Sequence, residues 1–539
     1  MRSVTLLYVW IVGATQSTRR LALVSAILAS TIAAVDSSAV NVALPAIGRD
    51  LGGGLAAQQW VSNSYLLTLS ALILLAGSLT DRLGERRVFV AGVAGFGIGS
   101  ALCAAAPTVE VLVVARALQG VAGAMLTPAA LAIIVAVFPK SERGAAIGSW
   151  TAWGGIGILI GPLLGGQIVD AASWRWIFAL NLPLVGIALL LAARAVPGRA
   201  IREDAASHID WWGALLAAGA LAGMSFGLIE QPVLGWSDPG VWGALTGGAV
   251  LFAVFLWHES RSPAPMLPLD LFSRRNFAVA NAQTLAMYGG IAIFGFFLTI
   301  YLQQVAGYSA FKAGLTGLVP TAVMFTLSRR MGRLADRHGP RAFLVAGPLV
   351  VGLGFVLMLR LGTSVSLLGD LLPALLVFSF GLSLTVAPLT ATVLADADES
   401  DAGIASAVNN AIARTAGLIA VAAVGAVVAA HYSSELDKRL AGRLPASSAP
   451  ALERAKSHSF APIDARSVPP ALRAEARAAS KSASESAFHL AALVGAGSLW
   501  AAGLAGVALR NPRRPEVEAG KCAGGQLTGA PRALATSEA

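Results

Sequence analysis

Charge is what this chain has least of. Only 13% of its 539 residues are Asp, Glu, Lys or Arg, against roughly 25% in a typical soluble domain. The hydrophobic share is 56% and the mean hydropathy +0.70, which excludes an ordinary soluble globular protein. Cysteine is nearly absent as well. Cys103 lies in an apolar run and Cys522 in a polar tail, so neither a disulfide framework nor a thiolate metal site is expected. The six histidines (208, 258, 338, 431, 458 and 489) are scattered, with no Ser/His/Asp or zinc-like spacing. The chain is not expected to be an enzyme or to carry a metal or cofactor. It also lacks a Gly-x-x-x-x-Gly-Lys-Ser/Thr phosphate loop, so any energised transport must draw on an ion gradient. Lysine is confined to six positions, leaving arginine with most of the positive charge; together with the high alanine content this is the bias of a GC-rich bacterial genome.

What is present is a series of apolar stretches of about 20 residues, each able to cross a bilayer as a helix. They fall at 21–47, 57–79, 88–106, 110–138, 145–170, 176–196, 212–231, 240–258, 279–304, 311–331, 342–361, 368–394, 403–430 and 486–509. This predicts an all-α integral membrane protein with about 14 transmembrane helices. The net charge of +10 sits in short connections between spans, including Arg82/Arg86/Arg87, Lys140/Arg143 and Arg333/Arg337/Arg341. That alternation fits membrane orientation with both termini cytoplasmic better than it fits nucleic-acid binding. Two segments strain the pattern. The connection 395–401 should be cytoplasmic yet has no Lys or Arg, and the segment 431–485 should be external yet carries nine. This external loop shows no sustained apolar face and is expected to be partly helical or disordered.

One string occurs twice. Gly77-Ser-Leu-Thr-Asp81-Arg82-Leu-Gly84 follows the second span, and Gly332-Arg-Leu-Ala-Asp336-Arg337-His-Gly339 follows the tenth. The glycines permit close approach and a tight turn, while the aspartates can cap a helix start or pair with arginine. An offset of eight spans rather than six implies two six-helix halves with two helices inserted between them, 6+2+6. The expected organisation is a cytoplasmic leader (1–20), an N-terminal bundle (21–196), a linker with two central helices (197–277), a C-terminal bundle (278–509) and a cytoplasmic tail (510–539).

A few polar groups lie where they are costly. Asp36 sits mid-span, at a price of about 2.5 kcal/mol or more unless it is paired, protonated or turned inward. Arg116 in the fourth span is its natural partner. From the external surface Asp36 lies about 16 Å down and Arg116 about 9 Å down, a gap that a long side chain closes. Protonating such a carboxylate weakens its hold on the arginine, which makes the pair a proton-coupling device; a purely structural ion pair fits the same residues. Gln119 lies on the face of Arg116, and Asn41 is turned away toward helix packing. Arg414 in the thirteenth span, with Asn410 just before it, has no visible partner, so Gln119, Arg414 and Asn410 are candidate cavity residues. In the fifth span Gly157, Gly161 and Gly165 recur every four residues, with Gly166 following and Pro162 bending the helix. Trp60, Tyr65, Trp150, Trp153, Tyr288, Phe294, Phe296 and Phe297 fall on helices expected around the central cavity, where a drug-pocket role competes with the commoner interface or lipid contact. Glu230, His258 and Glu259 lie near span ends and read as interfacial.

These strings, together with Val35-Asp36 through Asn41-Val-Ala-Leu-Pro45, Arg116-Ala-Leu-Gln119-Gly120, Gly157 to Gly166, and Trp174-Arg175-Trp176-Ile-Phe178 with Asn181, resemble the major facilitator superfamily, specifically its fourteen-helix drug/proton antiporters. The resemblance covers almost the whole chain. It implies the major facilitator fold, a gating role for the loops at Gly77, Asp81, Arg82, Gly84, Gly332, Asp336, Arg337 and Gly339, and an antiporter motif in the fifth span. It further implies drug or metabolite export in exchange for protons by a protein functional as a monomer in the bacterial cell membrane, with small-molecule substrate, protons and the lipid bilayer as its partners. Arg329 and Arg330, just before the second string, depart from the first copy. Import of a small metabolite, or a membrane sensor that no longer transports, are the alternative readings.

Overall fold

The computed structural model describes residues 16–196, 210–263, 265–395, 402–440, 442–445, 448–457, 459–460, 463 and 468–511. The first part of the expected leader, most of the linker before the inserted helices, the connection 396–401, the tail beyond 511 and Cys522 lie outside them.

Among the described residues fourteen helices are long and apolar enough to span a bilayer: α1 Gln16–Leu51, α2 Leu55–Leu83, α3 Glu85–Ala105, α4 Val109–Val137, α5 Ser141–Ala171, α6 Arg175–Ala195, α7 Trp211–Leu234, α8 Pro239–Arg261, α9 Arg275–Gln304, α10 Ala310–His338, α11 Arg341–Arg360, α12 Leu367–Ala395, α13 Ile404–Leu440 and α14 Pro470–Ala508. Polar caps start several of them. Thr108 accepts from the Val111 amide, Asp210 from Gly213, Asp238 from Gly240 and Ser309 from Lys312, each satisfying an amide with no intrahelical partner.

The duplicated string is helical until its last glycine. Gly77, Asp81 and Arg82 belong to the final turns of α2, and Gly332, Asp336 and Arg337 to those of α10. The expected turn is therefore reduced to Gly84 and Gly339, because nothing earlier in either string breaks a helix. These two glycines adopt nearly the same left-handed backbone, φ 89°, ψ 144° and φ 88°, ψ 146°, a region that side-chain-bearing residues avoid. The sequence repeat is thus a backbone repeat.

Helices α1–α6 pack as one bundle and α9–α14 as another, with the α7–α8 hairpin beside them. The hairpin closes tightly. A Cβ on Gly223 would lie 2.8 Å from the Ala244 carbonyl oxygen and 3.0 Å from the Gly248 Cα. Its α7 lies against both α2 and α13, where Leu221 packs with Ala71 and Leu418. Trp60 also donates to Glu230 across the α2–α7 contact at 2.6 Å.

We call the side carrying the start of α1 and the end of α14 the terminal face, and the other the distal face. The bundles meet near the distal face. Gln59 of α2 donates to the Val421 carbonyl of α13 at 2.6 Å, and Gln303 of α9 to the Val42 carbonyl of α1 at 2.9 Å. Asp170 at the end of α5 accepts from the Ala310 and Phe311 amides that open α10. Just below, Gly166 touches the backbone of Ala310 and Phe311, and Gly314 touches the backbone of Pro162; a Cβ on Gly314 would fall 2.4 Å from the Pro162 oxygen.

Toward the terminal face the same helix faces part. At 3.6 residues per turn, Gly155, Gly148 and Gly144 lie within about 40° of Pro162 and Gly166 round α5, yet nothing lies within 4 Å of where their Cβ atoms would be. On α10, Phe325 lies about 20° from Gly314 and is 86% exposed. A cleft therefore opens between the bundles toward the terminal face.

The segment after α13 is more regular than its composition suggests. α13 runs on to Leu440, a short helix covers Ala449–Ser457, and α14 starts at Pro470. Its apolar face is made of alanine: Ala476, Ala479, Ala483 and Ala487 are buried at helical spacing among charged neighbours. Tyr432 bonds to Ser480 at 3.1 Å, and Phe460, 1% exposed, packs beside Phe297.

A cysteine at position 325, in a chain whose native cysteines are replaced, is expected to react with a membrane-impermeant maleimide only from the terminal face. Comparing right-side-out with inverted vesicles checks this; equal labelling from both sides would contradict the cleft.

Candidate functional site

Asp36 is fully buried near the middle of α1, where water cannot pay for its charge. Its surroundings replace that water. Arg116 of α4, 1% exposed, donates to Asp36 Oδ2 at 2.6 Å. Gln119, one helical turn further along α4, donates to Oδ1 at 3.1 Å, and Asn181 of α6 donates to the same oxygen at 2.9 Å. Both carboxylate oxygens are therefore held by donors from two other helices.

The guanidinium is equally well provided. Beyond Asp36 it donates to Gln119 Oε1 at 2.7 Å and, through Nε, to the Val61 carbonyl at 3.3 Å. Its carbon lies 4.3 Å from the centre of the Tyr65 ring and 5.7 Å from that of Phe178. Arginine suits this position because it can make planar hydrogen bonds and face aromatic rings at once, which a lysine ammonium cannot. Ser100 of α3 receives hydrogen bonds from Gln119 at 2.9 Å and Asn181 at 3.1 Å, which fixes both amides. Five helices thus converge on one ion pair.

Close helix packing permits this convergence. A Cβ on Gly120 would sit 2.4 Å from the Tyr65 oxygen, and one on Gly99 would sit 2.9 Å from the Gln119 Cα. On α5, Gly157, Gly161 and Gly165 all face α1, meeting Thr31 and Ala34, Val35 and Ser38, and Ala39 respectively. Gly166 and Pro162 instead face α10. The glycine-rich string therefore does two jobs: one stripe seats α5 against the helix that carries Asp36, and the other closes the distal contact between bundles.

The sequence-selected residues separate into groups. Asp36, Arg116 and Gln119 come together. The two repeated strings lie apart from them at the terminal face, where Asp81, Arg82, Asp336 and Arg337 are exposed; Asp336, Arg337 and Gly339 line a hollow of about 330 Å3 with Pro388 and Asn511. Asn410 is exposed and bonds back to Ser406, and Arg414 sits one turn further along α13. Asn409 is turned instead to Asn281 and Thr284 of α9.

The aromatic set is mostly structural. Phe296 and Phe297 are buried, Phe294 stacks on Phe378, and Trp150 donates to Ser30 of α1. Trp153 is exposed, and Tyr65 belongs to the ion-pair site. Among the near-end charges Glu259 differs from expectation. It is 3% exposed and accepts from the Leu267 amide, beside the Asp210–His258 pair.

Asn181 and Ser100 were not singled out as site residues. Asn181 had a signal, as a polar residue within the apolar sixth span; Ser100 had none, since serine is common in membrane helices.

A membrane fold of this shape, with a buried ion pair in one bundle and a cleft between two, points to a transporter. The sequence model of the Major Facilitator Superfamily matches residues 26–422. The chain belongs to that superfamily, a family of membrane transporters and not an enzyme class. It is 33% identical over 419 residues to the Tetracenomycin C resistance and export protein of Streptomyces glaucescens, covering 76% of each chain. It is 34% identical over 414 residues to the Multidrug resistance protein Stp of Mycobacterium tuberculosis, again covering 76% of each. The Puromycin resistance protein pur8 of Streptomyces alboniger is 35% identical over 413 residues, covering 75% of this chain and 81% of its own. Among solved structures, a bacterial homolog of the human lysosomal transporter Spinster, inward-facing and unoccupied, aligns with a TM-score of 0.64 at 14% identity, covering 93% of this chain and all of the other.

Removing one member of a buried ion pair strands the other charge. Arg116→Leu is therefore expected to destabilise the protein by about 3–5 kcal/mol, and the double variant Asp36→Leu/Arg116→Leu to recover most of that loss. Denaturant unfolding of the purified protein in detergent measures the cycle; additive losses would mean that the pair is not coupled.

Proposed function

We propose that the protein is a proton-coupled secondary active exporter, exchanging hydrophobic drugs or a secondary metabolite for protons by alternating access. The observation that carries this reading is the Asp36–Arg116 pair, the most deeply buried ion pair among the described residues. It lies in the bundle whose α5 lines the cleft. The relatives named for resistance and export support the direction of transport.

The proposed mechanism follows from charge balance. With Asp36 ionised, its contacts to Arg116, Gln119 and Asn181 hold α1, α4 and α6 in one arrangement. A proton on an Asp36 oxygen removes half of the ion pair and turns one acceptor into a donor, so Arg116 must find new partners. Tyr65 and the Val61 carbonyl on α2 are already beside it. Protonation is thereby transmitted to α2, whose Gln59 is part of the distal seal. The proton gradient takes the place of a cofactor.

In this reading the terminal face is cytoplasmic, both chain ends lie inside, and the protein works as a monomer in a bacterial cell membrane. The organisation remains that given by the repeat: bundles at 21–196 and 278–509 flanking the inserted pair. The helix-end strings at Asp81 and Asp336 act as latches when the cleft closes on the cytoplasmic side, and Gly157 to Gly166 form the hinge and seal.

Proteoliposomes with an imposed pH gradient test the proposal. Wild type is expected to drive dye or drug uphill and to lose that ability with an uncoupler. Asp36→Asn is expected to retain downhill exchange while gradient-driven flux falls by about 100-fold, the scale of losing a proton-transfer group. Undiminished uphill transport by Asp36→Asn would contradict proton coupling through this residue, and gradient-driven import by wild type would contradict export.

A further inference from the structure

Three polar groups along the α2–α13 seam have no use in the mechanism above. Asn63 of α2 is fully buried, yet neither its amide nitrogen nor its oxygen has a hydrogen-bond partner. Arg414 of α13 has a buried Nε that is likewise without one, and no ion pair is found for it among the described residues. Buried polar groups are ordinarily satisfied, so such a concentration calls for a missing partner. Asn410, on the same side of α13, is exposed.

Register brings these groups together. Gln59 seals the distal end of the seam against Val421, and a Cβ on Gly425 would meet the same Gln59 side chain. Arg414 lies about 20° from Val421 round α13, and Asn410 also lies about 20° from it. Both therefore continue the α2-facing stripe toward the open end of the cleft. Asn63 stands about 40° from Gln59, one turn along α2 in the same direction, because the two helices are antiparallel. Tyr65 of α2 and Tyr288 of α9 lie within electrostatic reach of Arg414, and no carboxylate among the described residues does.

We infer that this seam is a cargo site that selects molecules carrying an acidic group, such as a carboxylate or an acidic phenol, on an aromatic scaffold. This rests on the exporter reading and names its substrate class. Arg414 supplies a fixed positive charge and parallel donors, Asn63 a donor and an acceptor, and the half-buried Tyr288 an aromatic face. Arg116 is already neutralised by Asp36, and Glu230 of α7, which lies against α2, is held by Trp60. Among the described residues the seam thus has a cation without an ion-pair partner. Arg414 also explains why an empty carrier would not close readily: while the cleft is open water can reach the guanidinium, whereas closure without cargo would strand it in a dry seam. An acidic cargo removes that penalty.

Binding of two xanthene dyes of similar size, anionic fluorescein and cationic rhodamine 6G, tests the inference by fluorescence anisotropy on purified protein without a gradient. Wild type is expected to prefer fluorescein. Arg414→Gln is expected to weaken fluorescein binding by about tenfold or more, the loss of a charge-assisted hydrogen-bonded contact, while Arg414→Lys restores part of it and Asn63→Val lowers it less. Thermal unfolding confirms that the variants are folded. Equal loss of both dyes in Arg414→Gln, a wild type that prefers rhodamine 6G, or one that binds neither would overturn the site. The exporter reading fails separately: fluorescein bound by wild type but never driven uphill by a pH gradient would contradict export and leave the acidic-cargo site standing.

Discussion

Everything in the N-terminal bundle is arranged around one charge that cannot be hydrated where it is. A carboxylate in the middle of a membrane helix is unfavourable by a few kcal/mol, and Asp36 is tolerated because α2, α3, α4 and α6 bring it, or its partners, donors and acceptors. The requirement propagates outward. Helices can approach that closely only over small residues, and the glycines at 99, 120, 161 and 165 stand where a side chain would collide with a neighbouring helix. A buried ion pair is weak evidence for stability, since apolar replacements often serve as well. In the proposed function this pair serves as a switch with two protonation states.

The contact between the bundles follows a different rule. It uses side-chain amides, backbone carbonyls and glycine, together with one carboxylate, Asp170, that caps the start of α10. Gln59 and Gln303 each donate to a main-chain oxygen of the opposite bundle, and Gly166 and Gly314 let α5 and α10 touch backbone to backbone. Neutral hydrogen bonds of this kind contribute about 1 kcal/mol each, the scale that the proposed alternating access needs of an interface that opens. Through α7 the hairpin lies against α2 and α13. It therefore touches both bundles on one side of the seam.

Much of this was legible before any coordinates. Span number follows from hydropathy, and the eight-span offset between the two glycine-aspartate strings gives the 6+2+6 arrangement. The match of Gly84 and Gly339 in backbone angle shows why the glycine recurs. Depth arithmetic also put Asp36 and Arg116 within reach, because helix rise is constant. What was not legible depends on rotation and register between distant helices. Ser100 and Asn181 meet Asp36 only once α3 and α6 are docked, and no local pattern marks a serine as a second partner. The segment after α13 was left open between helix and disorder because its buried face is alanine, which contributes little hydropathy contrast among charged neighbours. The strings themselves were taken for loops, since charge marks a membrane boundary but does not end a helix.

The central proposal is that Asp36 carries the proton exchanged for cargo. Purified protein in weakly buffered detergent, mixed with a dye that it transports while a pH indicator is followed, measures this directly. The account predicts that wild type releases protons on binding and that Asp36→Asn, binding the same dye, releases none. Equal proton release by the two proteins would contradict it.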